Sequence, residues 1–222
     1  MGYHSATPIQ SQAIPEAVLG RDIVATAQTG TGKTAAFLLP ILERTLELPP
    51  GRIYALVLTP TRELALQAEG FLKKLGHYTK RRGAAVYGGV GMEPQARALQ
   101  GGAEIIVATP GRLLDHMNRG YVDFGALRIL VLDEADRMLD MGFIPDVRRI
   151  LSGIPRVPSR PSDGPCGLHD GRGRRRRASS APGLLPPQTR PPAGAASGRD
   201  DVERPRLRPH QASSRPTRSP AP

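Results

Sequence analysis

Tryptophan is absent from this 222-residue chain and cysteine occurs once, at Cys166, so neither a disulfide framework nor a cysteine-built zinc cluster can form within it. No apolar run approaches the roughly 18 residues of a membrane span, and the N-terminus lacks the charged-then-apolar pattern of a signal peptide. A soluble, cytoplasmic protein with no membrane partner is the expectation. Lysine and aromatics are scarce and unevenly placed: all four Lys, four Phe, five Tyr and five Met precede Arg156. The 67 residues from Arg156 to Pro222 hold 14 Arg, 13 Pro and only five acids. Most of the net charge of +11 therefore belongs to that tail, and residues 1–155 carry only +2. A strongly basic chain points to nucleic acid, but here the part able to fold is close to neutral. Its case has to rest on motifs.

From Arg21 to Leu151 short apolar runs alternate with segments of helical period. The runs are Ile23-Val24-Ala25, Tyr54-Ala55-Leu56-Val57-Leu58, Ala84-Ala85-Val86-Tyr87, Ile105-Ile106-Val107-Ala108 and Ile129-Leu130-Val131-Leu132. Near-continuous apolar strands separated by helices predict an α/β fold, a parallel sheet covered by helices on both faces. Ligands in such sheets gather outside the carboxyl ends of the strands, and the chemically telling residues fall there. After Pro155 the periodicity stops, and a segment rich in Arg, Pro, Gly and Ser buries too little apolar surface to offset chain entropy. Residues 156–222 are expected to be a disordered tail following a domain at 1–155.

The segment Ala27-Gln28-Thr29-Gly30-Thr31-Gly32-Lys33-Thr34 follows the first run and opens a helix-period stretch. A glycine-rich loop ending in Lys-Thr wraps backbone N–H groups around phosphate oxygens, sets an ammonium on the β- and γ-phosphates and offers a hydroxyl to Mg²⁺. Ala27 stands where the general pattern has Gly. About a hundred residues later Asp133-Glu134-Ala135-Asp136 closes the last apolar run. Alone, such a pair would read as a solvated helix start. Beside a phosphate loop, Asp133 becomes the residue that holds Mg²⁺ through water, with Thr34, and Glu134 the one that orients the hydrolytic water, with Lys33 on the phosphates. ATP and Mg²⁺ are the cofactors this implies.

Asp133-Glu134-Ala135-Asp136 also spells the signature of the DEAD-box RNA helicases, and other pieces resemble that family in order. Thr7-Pro8-Ile9-Gln10 is similar to its adenine-reading Q motif, which implies that Gln10 hydrogen-bonds the adenine edge. Pro60-Thr61-Arg62, Gly88-Gly89 and Thr109-Pro110-Gly111-Arg112 resemble its RNA-backbone elements. Met138-Leu139-Asp140-Met141-Gly142-Phe143 is most similar to bacterial members. Taken singly, Gly88-Gly89 reads as a turn and Arg62 and Arg112 as solvated helix starts. Their hydroxyls, guanidiniums and bare backbone suit phosphate and sugar rather than base edges, so little sequence preference is implied. His116, Tyr54 and Tyr87 are expected to fill the core or a solvated face.

The resemblance implies an ATP-dependent RNA helicase built of two RecA-like domains, and it covers Gly2 to about Pro155, one of the two. It further implies that the family's aromatic that stacks on adenine, upstream of the Q motif, and the arginines a second domain brings to the γ-phosphate lie outside this sequence. An arginine finger is worth about 10³–10⁵ in rate, so the chain alone is expected to hydrolyse ATP poorly and not to unwind RNA, acting as a monomer or with a second RecA-like domain supplied in trans. The abrupt change after Pro155 suggests a shift of reading frame, since Arg, Pro, Gly, Ala and Ser are what GC-rich codons yield in any frame. The alternative is a non-catalytic RNA-binding or regulatory fragment that uses its basic tail, Arg174-Arg175-Arg176-Arg177 included.

Overall fold

The computed structural model describes residues 5–155 and 166–169, all within one unit of the chain. In chain order the elements are α1 (Pro8–Val18), β1 (Ile23–Thr26), α2 (Lys33–Thr45), β2 (Ala55–Leu58), α3 (Arg62–Gly76), β3 (Gly83–Val86), α4 (Met92–Gln100), β4 (Ile105–Ala108), α5 (Pro110–Asn118), β5 (Ile129–Leu132), α6 (Ala135–Asp140), α7 (Ile144–Ser152) and β6 (Cys166–His169). Each of the five apolar runs forms a strand.

β3, β4, β2 and β5 make a parallel sheet in that order, with Ala55 opposite both Ile105 and Ile129. Side chains alternate across it as a strand requires. Ala55 and Val57 of β2, with Ile105 and Val107 of β4, pack under Leu38, Ile41 and Leu42 of α2 and Ala65, Ala68 and Leu72 of α3. Leu56, Leu58, Ile106 and Ala108 face the other way, against Leu99 of α4, Leu113 and Leu114 of α5, Met138 of α6 and Val147 and Ile150 of α7. All eight of these strand residues are essentially inaccessible, the burial on both faces that makes each run continuously apolar.

One expectation needs correction. The sequence predicts β1 in the same sheet as the other runs, yet it pairs in a separate two-stranded parallel ladder with β6, Ile23 opposite Cys166. Val24 of β1 is 56% exposed and Leu132 of β5 41% exposed, so neither strand is sandwiched as β2 and β4 are. β6 itself, Cys166–His169, lies within the span 156–222 of the expected tail. A parallel ladder is bonded through backbone N–H and C=O groups, so poor apolar composition does not bar an extended segment from satisfying an open strand edge. The rest of the expected tail, with the arginine run and the proposed frame change, lies outside the described residues.

Candidate functional site

The N-terminal motif is first a piece of helix capping. Thr7 is the N-cap of α1 and Pro8 its first residue, a position where a missing N–H costs nothing. The Thr7 hydroxyl accepts from Gln10 N at 3.4 Å, and the Gln10 side-chain carbonyl accepts from Thr7 N at 3.1 Å, a reciprocal capping box. The other end of the Gln10 amide leaves the helix: Nε2 donates to the carbonyl of Gly32 at 3.1 Å. One side chain, 6% exposed, thereby ties the start of α1 to the phosphate loop.

Gly32 has φ +89°, a conformation that favours glycine, and a Cβ there would push the Gln10 amide off its place. As N-cap of α2 it supplies no side-chain acceptor, which leaves the first N–H groups of that helix without side-chain partners. The space beside Gly30 is open to 4 Å. Thr31 Oγ1 donates to Gln28 O at 2.7 Å, and Lys33 Nζ folds back to donate to Ala27 O at 2.9 Å. The departure at Ala27 has a packing reason: it rests with Ile23 against the small core of Ile9, Ala13 and Ala36 between α1 and α2.

Asp133 follows β5, its backbone N bonded to Leu58 O at the end of β2, 2.9 Å away. Burial pushes its carboxyl above the ordinary value, the Lys33 ammonium opposes that shift, and Glu134 and Asp136 reinforce it. Lys33 thus lies within electrostatic reach of Asp133, although the two are a hundred residues apart in the chain. Glu134 is the N-cap of α6 in the left-handed region, φ +50° and ψ +49°, a conformation that costs a non-glycine residue of order 1–3 kcal/mol and is met at functional sites. Its carboxylate accepts from Arg137 Nη1 at 3.3 Å and is 12% exposed.

The remaining motif residues converge at the ends of β2, β3 and β4. Thr61 caps α3 through Leu64 N at 3.4 Å, following Thr59 and Pro60. Arg62 lays its guanidinium over the Tyr87 ring at 5.1 Å and beside Gly89. Arg112 Nη1 donates to Val90 O at 2.9 Å, pinning the loop that holds Gly88 and Gly89. Thr109 is the N-cap of α5, Pro110 its buried first residue, and Gly111 lies near Asp146.

Sequence reasoning missed Gln95. It donates to Tyr87 O at 3.0 Å, and its Oε1 meets His116 Nε2 at 3.3 Å, so α4 joins the glycine loop to α5. The donor geometry at Gln95 assigns the proton of the neutral imidazole to Nε2. His116 Nδ1 is buried without a partner among the described residues, and burial, followed by the nearby charge of Arg112, lowers its pKa. The only signal was a polar residue in register with the inward Ala96 and Leu99 of α4.

A glycine loop at a helix N-terminus, a lysine folded into it and a carboxylate at the end of a parallel strand define a P-loop nucleotide-binding α/β domain. The chain belongs to the DEAD/DEAH box helicases, whose family model matches residues 7–163. It is 49% identical over 155 residues to the DEAD-box ATP-dependent RNA helicase CshA of Bacillus licheniformis, covering 70% of this chain and 32% of that protein. The CshA of Bacillus subtilis is 48% identical over 155 residues, covering 70% of this chain and 31% of that protein. Among solved structures, a hypothetical ATP-dependent RNA helicase from Sulfolobus tokodaii superposes with a TM-score of 0.65 at 39% identity, over 76% of this chain and 47% of that one. The chain spans about a third of the length of the curated relatives it matches. Among the described residues no helix is long and apolar enough to cross a membrane.

Proposed function

We propose that this domain binds Mg²⁺-ATP on the loop from Ala27 to Thr34 and an RNA backbone along Pro60-Thr61-Arg62, Gly88-Gly89 and Thr109-Pro110-Gly111-Arg112, as one half of an ATP-dependent RNA-remodelling machine. The observation that carries the reading is the glycine-built loop at the start of α2, open at Gly30 and with Lys33 folded back into it, together with Arg62 and Arg112 gathered about the Gly88-Gly89 loop at the ends of neighbouring strands.

The fit to nucleotide rests on the uncapped N-terminus of α2 and the open space at Gly30. Lys33 exchanges its bond to Ala27 O for the β- and γ-phosphates. Gln10 has one N–H and one carbonyl lone pair left after its two ties, enough to read the adenine edge. Among the described residues no group of three or more His, Cys, Asp or Glu side chains could hold a metal ion, so Mg²⁺ would be held by Thr34 and Asp133 with its other ligands from phosphate and water. When bound, Mg²⁺ neutralises charge developing on the phosphates. Glu134, fixed in its strained conformation, orients the attacking water. We assign this action to the cytoplasm.

Rapid hydrolysis needs further positive charge at the γ-phosphate, worth about 10³–10⁵ in rate, which we assign to a second RecA-like domain acting in trans on this monomeric chain. The test is ATP hydrolysis by the purified chain, with and without RNA and the C-terminal RecA-like domain of a relative. RNA-stimulated turnover only with the added domain is expected. Full turnover by the chain alone, or no ATP binding by it, would overturn the proposal.

A further inference from the structure

The opposite end of the sheet carries a cationic hollow that the nucleotide and RNA readings do not use. It lies where α3 ends and β3 begins, an open depression of about 540 Å³ lined by Lys73, His77, Lys80 and Arg82 together with Ala98 and Gly101. Tyr78, next in the chain to His77 of the hollow's lining, is 80% exposed, the most exposed of the large hydrophobic side chains among the described residues. Its ring meets the His77 ring edge-on at 5.4 Å and 82°.

The turn that presents these groups is built around Arg81. That guanidinium is 7% exposed, paired with Glu104 at 2.8 Å, and donates to the carbonyls of Leu46 and Leu48 at 2.8 and 2.6 Å. With Arg81 anchored inward, Lys80 and Arg82 on either side of it stay at the surface. Thr79 braces the turn through Gly76 O at 3.3 Å and Arg81 N at 3.4 Å. Lys80 sits at φ +58°. Of the cations here, Lys73 is paired with Glu69 at 3.1 Å and Arg81 with Glu104. The side chains of Lys74, Lys80 and Arg82 form no ion pair among the described residues, although Arg82 N donates to Glu104.

Lysines at the end of α3 would be explained by the helix dipole alone. Lys80, Arg82 and the bare Tyr78 ring lie beyond that helix and are not. Unpaired cations alternating with an exposed aromatic are the chemistry by which proteins hold single-stranded nucleic acid, phosphates on the cations and a base on the ring. An acidic peptide would use the cations and leave Tyr78 without a purpose.

We propose that this hollow is a second contact for single-stranded RNA, with one base stacked on Tyr78 and its flanking phosphates on Lys80 and Arg82. The inference rests on RNA being the ligand of the domain. It adds a contact on the sheet end opposite the proposed backbone track, so RNA flanking the track is captured as well.

The experiment is photo-cross-linking of the full chain to oligo-uridine bearing 4-thiouridine, with tryptic peptides mapped by mass spectrometry, alongside RNA binding at several salt concentrations. Expected is a cross-link in the peptide Leu75–Lys80. Tyr78→Ala weakens binding about five- to a hundredfold, Tyr78→Phe restores it, and Lys80→Ala with Arg82→Ala lowers the salt slope by about 1.4. ATP affinity should not change in any of these variants. Cross-links at the Arg62 and Arg112 segments with none at Tyr78 would overturn the second contact and leave the first. Cross-links at Tyr78 with none at those segments would do the reverse. Displacement of RNA from the Tyr78 peptide by polyglutamate as readily as by oligo-uridine would show an acidic-peptide site and also overturn the proposal.

Discussion

Gln10→Glu separates two things that one side chain does. In the native chain Oε1 accepts from Thr7 N and Nε2 donates to Gly32 O, both at 3.1 Å. Glutamate keeps the first bond and, near a helix N-terminus, gains about 0.3–1 kcal/mol from the dipole. It loses the second, because a carboxylate has no donor and would set an oxygen against the Gly32 carbonyl. A partly buried neutral hydrogen bond is worth about 0.5–1.5 kcal/mol. Burying a carboxylate at a position only 6% exposed adds to the loss, so Tm should fall, by about 2–4 °C for each kcal/mol in a chain of this size. The phosphate loop suffers separately. Releasing Gly32 costs the loop its preorganisation, and phosphate affinity should fall roughly two- to twelvefold, the same 0.5–1.5 kcal/mol expressed as a dissociation constant. Isothermal titration with ATP and with inorganic tripolyphosphate distinguishes the causes. Both should weaken in Gln10→Glu, and ATP should weaken further through any lost adenine contact. If tripolyphosphate binds as it does to the native chain while ATP alone suffers, the tether to Gly32 has no bearing on the loop and the reasoning is refuted.

Glu104 is 1% exposed and accepts from Arg81, from Gly51 N at 3.2 Å and from Arg82 N at 3.0 Å. Glu104→Ala leaves a buried guanidinium uncompensated and should cost about 3–5 kcal/mol in urea unfolding, largely recovered in the Arg81→Met, Glu104→Leu double variant; a loss below 1 kcal/mol would contradict the burial argument. His116 has its folded pKa below the ordinary histidine value, so the unfolded chain takes up a proton that the folded chain resists. Stability from this residue is fully present above about pH 6.5 and falls as the pH drops from there towards the folded value. Thermal unfolding from pH 8 to 5 should show that loss in the native chain and a flatter profile in His116→Asn; parallel profiles would show that another group is responsible.

How much was legible is clearest at β2 and at Gln95. The run Ala55-Leu56-Val57-Leu58 is apolar at every position because both of its faces are covered, and such a run announces a parallel strand in the sequence itself. Gln95 carries no such mark. Its importance comes from the carbonyl of Tyr87 and the ring of His116, groups that approach it only after β3, α4 and α5 have packed. The same holds for Arg112, which reads as a cation for RNA and is found bracing the glycine loop through Val90. The misplacement of β1 has a related origin. Composition shows that a segment is a strand, but its neighbour is chosen by competition between open edges.

What the sequence determined by itself is whatever depends on local order. It settled the strand runs, the Thr7-Pro8 and Gln10 cap, the glycine loop with Lys33 and Thr34, and the acidic pair after β5. Covalent neighbours set those preferences, and a few adjacent residues suffice to express them. Only the tertiary structure decided that Gln10 bonds Gly32, that Lys33 feels Asp133, that β1 takes β6 as its partner, and that Tyr78 stands bare beside Lys80 and Arg82. Those contacts depend on distance in space, which the chain fixes only when the apolar faces of its helices and strands are buried together.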